Sequence, residues 1–173
     1  IVGSLCGLFS MTIRKINMNN IIESALSLYE GIMRRDREEY RNHPERMAKI
    51  AEEMGWLNSS SHLLIALHDV LEVGVEVRPS YLEKVFALTP EEMKVITILT
   101  RRNGERSQEH FERVLNSGNL IALQIKYCDN IDNAHMEYED IQWYKEVARC
   151  NYSEESDKYR LRSRQVFEKI KEI

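Results

Sequence analysis

Punctuation is what this sequence has least of. Three prolines and seven glycines in 173 residues leave few of the breaks that hairpins and short strands need. That scarcity argues against a sheet-built fold and for helices throughout. Cysteine is also sparse: Cys6, Cys128 and Cys150 are odd in number and none stands in a CxxC spacing. A disulfide framework and a structural zinc knot are both excluded on that ground, and a reducing, cytoplasmic setting is expected. No run of Lys or Arg is long enough to gather phosphates, and the net charge is −4, which argues against binding to long nucleic acids. Nor is there a run of apolar residues long enough to span a bilayer, so no membrane partner is expected. Residues 1–10 are apolar but short and lack a basic flank. They read as an extension ahead of Met11, at the start of an N-terminal stretch of about 1–15, and removing these ten residues should leave fold and activity intact.

What the chain does have is a helical rhythm and 43% hydrophobic residues, enough to bury one core in one domain. Ile21, Ile22, Ala25, Leu26, Tyr29, Ile32 and Met33 recur at helical spacing behind two candidate caps, Asn19 and Asn20. The charged stretch 34–41 interrupts, and His43-Pro44 opens a second helix that buries Met47, Ile50, Ala51 and Met54 and stops at Gly55. Ser59 to Ser61 cap a third, whose Leu63, Leu64, Leu67 and Leu71 place it near the centre. Arg78-Pro79-Ser80 leads into a short helix through Leu82, Val85 and Phe86. Thr89-Pro90-Glu91-Glu92 is a capping box that starts a fifth, with Met93, Ile96 and Leu99 inward and Asn103-Gly104 as its stop. Ser107 caps a helix carrying Phe111, Val114 and Leu115, and Asn119 precedes another running to about Met136. Two more are expected within 141–173, one around Trp143 and one from about Glu154 to the end.

Inside this pattern, Leu67-His68-Asp69-Val70-Leu71-Glu72 puts an imidazole and two carboxylates into a leucine-rich helix. An ionised Asp in an apolar setting must meet a cation, accept hydrogen bonds or stay protonated. His68 and Glu72, four apart, share a helix face, with Asp69 about 100° away and able to close on the same ion. The dipeptide taken alone is better explained as a surface or capped pair. Its company is more telling: His43 opens one helix, and Asp129 lies in a second polar interruption, Lys126-Tyr127-Cys128-Asp129-Asn130-Ile131-Asp132-Asn133. Two imidazoles and two carboxylates are a plausible set for Mn²⁺, Fe²⁺, Zn²⁺ or Mg²⁺ with positions left open.

In that order, H…HD…D, the chain resembles the HD-domain hydrolases, and within them the hydrolase half of the Rel/SpoT-type alarmone enzymes and their small stand-alone relatives. Asn42-His43-Pro44 looks like the family's first-histidine segment and residues 67–72 like its LHDVxED segment. Leu99-Thr100-Arg101-Arg102-Asn103-Gly104-Glu105 looks like LTRRxGE, and residues 125–133 like VKLADxxDN. The resemblance covers about residues 38–136. It implies an all-α HD-domain bundle around one divalent metal ion, manganese first, held by His43, His68, Asp69 and Asp129. It further implies that Glu72 helps to activate or orient the attacking water, and that Lys126, Asn133 and one of Arg101 or Arg102 contact a small nucleotide.

One departure stands out: where the family carries Glu-Asp after the HD pair, this chain has Glu72-Val73. Either Glu72 suffices, the substrate differs, Asp132 or another acid substitutes, or the site binds metal and nucleotide without efficient turnover. The expected activity is removal of the 3′-pyrophosphate from guanosine tetra- or pentaphosphate. The alternatives are a weakly active nucleotide- and metal-binding module, or an HD nucleotidase with another substrate. His62, His110 and His135 read as polar-face or partner-bonded histidines, and Cys128 as core packing rather than a nucleophile. Trp143, Tyr144, Tyr152, Tyr159, Val166, Phe167 and Ile170 read as helix packing that could also serve a homo-oligomer contact.

Overall fold

The computed structural model describes residues 18–34, 38–73, 76–134 and 152–173. Among these the chain is helical and forms no strand beyond one isolated bridge between Met33 and Glu39. Helix α1 covers 18–26 and buries Ile22, Ala25 and Leu26. Asn19 and Asn20 lie within it rather than capping it, and the Asn20 carbonyl accepts from the Ser24 hydroxyl. The first helix also ends sooner than its apolar spacing predicts. It tightens into a 3₁₀ turn at Ser27–Tyr29, and Gly31 adopts φ +76°, a left-handed conformation in which a side chain would be strained. The chain then reverses through the Met33–Glu39 bridge, and Met33 is 54% exposed instead of buried.

Helix α2 (Asn42–Glu53) buries Met47, Ala48 and Ala51 and is followed by Gly55 at φ +71°. Helix α3 (Ser59–Leu67) starts one residue earlier than the serines suggest. Asn58 is its cap, accepting from the Ser60 and Ser61 backbone N–H groups while the Ser61 hydroxyl accepts from the Asn58 N–H. This helix is apolar on nearly every side, as a central element must be. Helix α4 (Pro79–Val85) buries Leu82, but Val85 is exposed. Helix α5 (Pro90–Leu99) has the expected capping box, Thr89 with Glu92, and buries Val95, Ile96 and Leu99. Helix α6 (Ser107–Leu115) has Arg106, not Ser107, in the cap position and buries His110, Phe111 and Val114.

Helix α7 (Leu120–Ala134) packs against α2, α3, α5 and α6, and α8 (Tyr152–Lys171) packs chiefly along α7. The main core joins α1 to α5 and α7 through residues such as Leu64, Leu67, Ile96 and Ile125; Phe111, Leu123 and Val166 form a second cluster under α8. Each fully buried aliphatic side chain contributes on the order of 2 kcal/mol. Trp56, Tyr127 and Phe167 form an aromatic ladder with centroid spacings of 5.4 and 5.6 Å. Cys128 is a buried free thiol, pushed up to about 12 by burial and by the adjacent Asp129, consistent with core packing. The expectations for residues 1–15, for His135, and for Trp143 and Tyr144 lie outside the described residues, as does the side chain of Tyr152. No helix among the described residues is long and apolar enough to cross a membrane.

Candidate metal centre

Two helix ends and one helix face meet at the site. His43 lies in the first turn of α2, His68 and Asp69 follow the last residue of α3, and Asp129, Asp132 and Asn133 project from α7, which packs on α2. The spacing predicts the His-Asp pair inside a continuous helix; it lies beyond the helix end instead. Helix α3 ends at Leu67, and residues 68–72 continue as tight turns, with Val70 N–H on the Leu67 carbonyl (3.2 Å) and Glu72 N–H on that of Asp69 (2.8 Å). Such i→i+3 winding turns each residue further round the axis than an α-helix does. His68 and Glu72 are therefore not held on one face by helical periodicity.

His68 Nδ1 lies 2.7 Å from the Ile65 carbonyl, which leaves Nε2 for the cluster. That Nε2 is buried without a hydrogen-bond partner; Asp69 Oδ2 is 3.2 Å away, near enough for an ion pair but not in hydrogen-bonding geometry. Single nitrogen or oxygen atoms of His43, His68 and Asp69 all lie within 4.8 Å of one another. Asp129 approaches from the α7 side, its Oδ1 3.3 Å from His43 Nε2. A buried orphan imidazole nitrogen beside a second imidazole and two carboxylates is the mixed N/O donor set that divalent ions take, so these residues fit such an ion.

Electrostatics around the cluster are strong. Burial alone would lower the His68 imidazole, but Asp69 outweighs it and holds the ring up to about 9. Burial would raise Asp69 and Asp129, yet His68 lowers the first, and Lys126 with His43 holds the second well below the usual carboxylate range. Lys126 Nζ donates to Asp129 Oδ2 at 2.6 Å, and Asn133 Nδ2 to Oδ1 at 2.5 Å. The Tyr40 hydroxyl donates to Asp69 Oδ2, and its ring stacks on Tyr29 at 5.0 Å. Glu72 behaves differently: burial and the nearby Asp69 push its carboxyl up, while the Arg101 backbone N–H, 2.5 Å from Oε1, opposes them.

A cavity of about 320 Å³ opens over this cluster. Of the residues singled out from sequence, it is lined by His43, Asp69, Glu72, Arg101, Lys126, Asp129 and Asn133, and Val73 stands in the same wall. His68 sits in the buried cluster. Arg102 is exposed outside the lining, its N–H bonded to Glu105 at 2.9 Å. Asp132 is also outside it: the carboxylate is buried beside the far ring nitrogen of His43 and held by Arg46.

Sequence reasoning missed several lining residues. Arg34 and Tyr40 belong to the stretch read only as a charged interruption, Tyr159 was read as packing, and Arg162 carried no signal at all. The bonds they make, such as Arg34 Nη2 to Asn133 Oδ1 at 2.6 Å and Arg162 to Gln108 at 2.9 Å, join segments far apart in the chain.

Among the described residues the architecture is all-α, with a His/Asp cluster at the meeting point of its helices. Among solved structures, the fold is similar to that of a metazoan ortholog of SpoT that hydrolyses ppGpp and plays a role in starvation responses, at 19% sequence identity and a TM-score of 0.66 over 88% of this chain and 84% of that one. No protein-family model and no curated protein matches the sequence.

Proposed function

We propose that this protein is a metal-dependent phosphohydrolase acting on a small nucleotide, with guanosine tetra- or pentaphosphate as the first substrate and the 3′-pyrophosphate as the leaving group. The observation that carries the reading is the convergence of His43, His68 and Asp69, with Asp129 beside them, under a cavity with cationic walls. The likeness in fold to a ppGpp-hydrolysing protein supports the substrate class. A divalent ion, manganese first and magnesium, iron or zinc as alternatives, supplies a Lewis acid for a phosphate oxygen and lowers the pKa of water it binds.

The chain's own residues do the rest. His43, His68, Asp69 and Asp129 hold the ion, with Tyr40 donating to Asp69 Oδ2, Lys126 to Asp129 Oδ2 and Asn133 to Asp129 Oδ1 to fix the two carboxylates. Glu72 is the proton acceptor for the attacking water: it lines the cavity, is oriented by the Arg101 N–H, and its raised pKa makes it a better base. Arg101, Arg34 and Arg162 line the same cavity and balance the charge of the substrate phosphates. At about 320 Å³ the space is at the small end for a nucleotide.

A second reading, a nucleotide-binding module with little turnover, is favoured by Val73. This side chain fills with hydrocarbon a wall position next to Glu72, and it packs against the main core. A panel of guanosine polyphosphates and nucleoside monophosphates, assayed with manganese, separates the two. The hydrolase reading expects metal-dependent release of pyrophosphate or phosphate that is lost in Asp69→Ala; binding without release favours the module.

A further inference from the structure

Asp129 and Asp132, three residues apart on α7, bracket a single imidazole. Asp129 Oδ1 is 3.3 Å from His43 Nε2, and Asp132 Oδ2 is 2.7 Å from His43 Nδ1. The second contact is backed by cations. Arg46, one turn along α2 from His43, donates from Nε to Asp132 Oδ1 at 2.6 Å and from Nη2 to Oδ2 at 2.9 Å, and Arg34 Nη1 adds a contact at 3.2 Å. Arg46 is itself clamped by Glu38 through bonds of 2.7 and 2.6 Å. A carboxylate gripped in this way by a guanidinium is ionised and can only accept. The ring proton of neutral His43 must then sit on Nδ1, and the Nε2 lone pair faces Asp129 and the His68–Asp69 cluster. A lone pair 3.3 Å from a carboxylate oxygen is repulsive unless a positive charge lies between them.

We infer that Asp132 is a positioning residue which, held by Arg46 and Glu38, fixes the tautomer and ring orientation of His43 so that Nε2 is presented to a divalent ion. This rests on the metal-site reading above, and it takes Asp132 away from the role of substitute catalytic acid. Asp132 is buried to within a few per cent and lies outside the cavity lining, so it does not meet substrate or water there. The chain Glu38–Arg46–Asp132–His43 is a carboxylate–imidazole support of the kind that raises ligand basicity, and its loss typically weakens metal binding about 10- to 100-fold.

Two measurements on the full chain test this. In the metal-free wild-type protein, long-range ¹H–¹⁵N spectra of the histidine rings are expected to show His43 protonated at Nδ1; a bare Nδ1 overturns the inference without any variant. Calorimetric titration with Mn²⁺ is expected to give Asp132→Asn an affinity lower than wild type by about 10- to 100-fold, with its metal-free melting curve confirming a folded protein. If wild type binds manganese and folded Asp132→Asn binds it as tightly, the positioning role is wrong and the metal site stands. If wild type takes up no metal, the metal-site reading fails and the inference with it.

Discussion

Glu72 Oε1 lies 2.5 Å from the backbone nitrogen of Arg101, so a carboxylate from the turns after α3 is oriented by main chain from the end of α5. That link crosses 29 positions of sequence and fixes one oxygen, while the other lies 3.7 Å from Arg101 Nε. Glu72→Gln keeps an acceptor for the Arg101 N–H but removes the base. Hydrolysis should fall by about 10²- to 10⁴-fold while manganese affinity stays within a few-fold of wild type. A steady-state assay beside a metal titration checks this; retained turnover would remove Glu72 from the chemistry.

Val73→Asp adds the acid that the resembled family carries after its Glu. If hydrocarbon at this wall limits turnover, hydrolysis should rise about tenfold or more. Stability should fall by about 1–3 kcal/mol, since a half-buried residue that packs on the core becomes charged. Denaturant melts and initial rates on the same preparation read both effects. An unchanged rate in a folded variant would show that Val73 is not what limits the reaction.

His110 gives a pH signature. Burial, with Lys126 and Arg113 nearby, lowers its imidazole from the ordinary 6.5 to about 4. A histidine whose folded pKa is depressed binds fewer protons in the native than in the unfolded state. Its stabilising effect is therefore complete above about pH 6.5 and is lost as pH falls toward 4. The loss amounts to at most about 3 kcal/mol. Urea melts of wild type across this window should show that decline, and His110→Phe should flatten it. Parallel pH profiles for the two proteins would contradict the assignment.

What could be read beforehand divides along physical lines. The Thr89–Glu92 capping box, the stop at Gly55 and the buried stripe Ile96–Leu99 were legible because each depends on a few neighbouring residues. The metal-ligand candidates His43, His68, Asp69 and Asp129 were legible because polar groups inside apolar helices stand out, and because their order resembles a known pattern. The break at Gly31 was not, since apolar spacing continues through Ile32 and Met33 and only the bridge to Glu39 reveals the reversal. Nor was the unwinding of residues 68–72 into tight turns, or the burial of Asp132 behind His43. Arg46 and Glu38 are separated by eight residues and look like surface charges until α2 and α7 pack and leave Asp132 in need of a partner.

The most direct test of the account is a count of metal. Protein loaded with manganese and then desalted should retain one ion per chain by elemental analysis. His68→Ala, which removes the orphan buried Nε2, should retain much less than one while keeping its helical circular dichroism. Wild-type protein that retains no ion, or a His68→Ala variant that holds it as firmly as wild type, would contradict the proposal that these imidazoles and carboxylates share a cation.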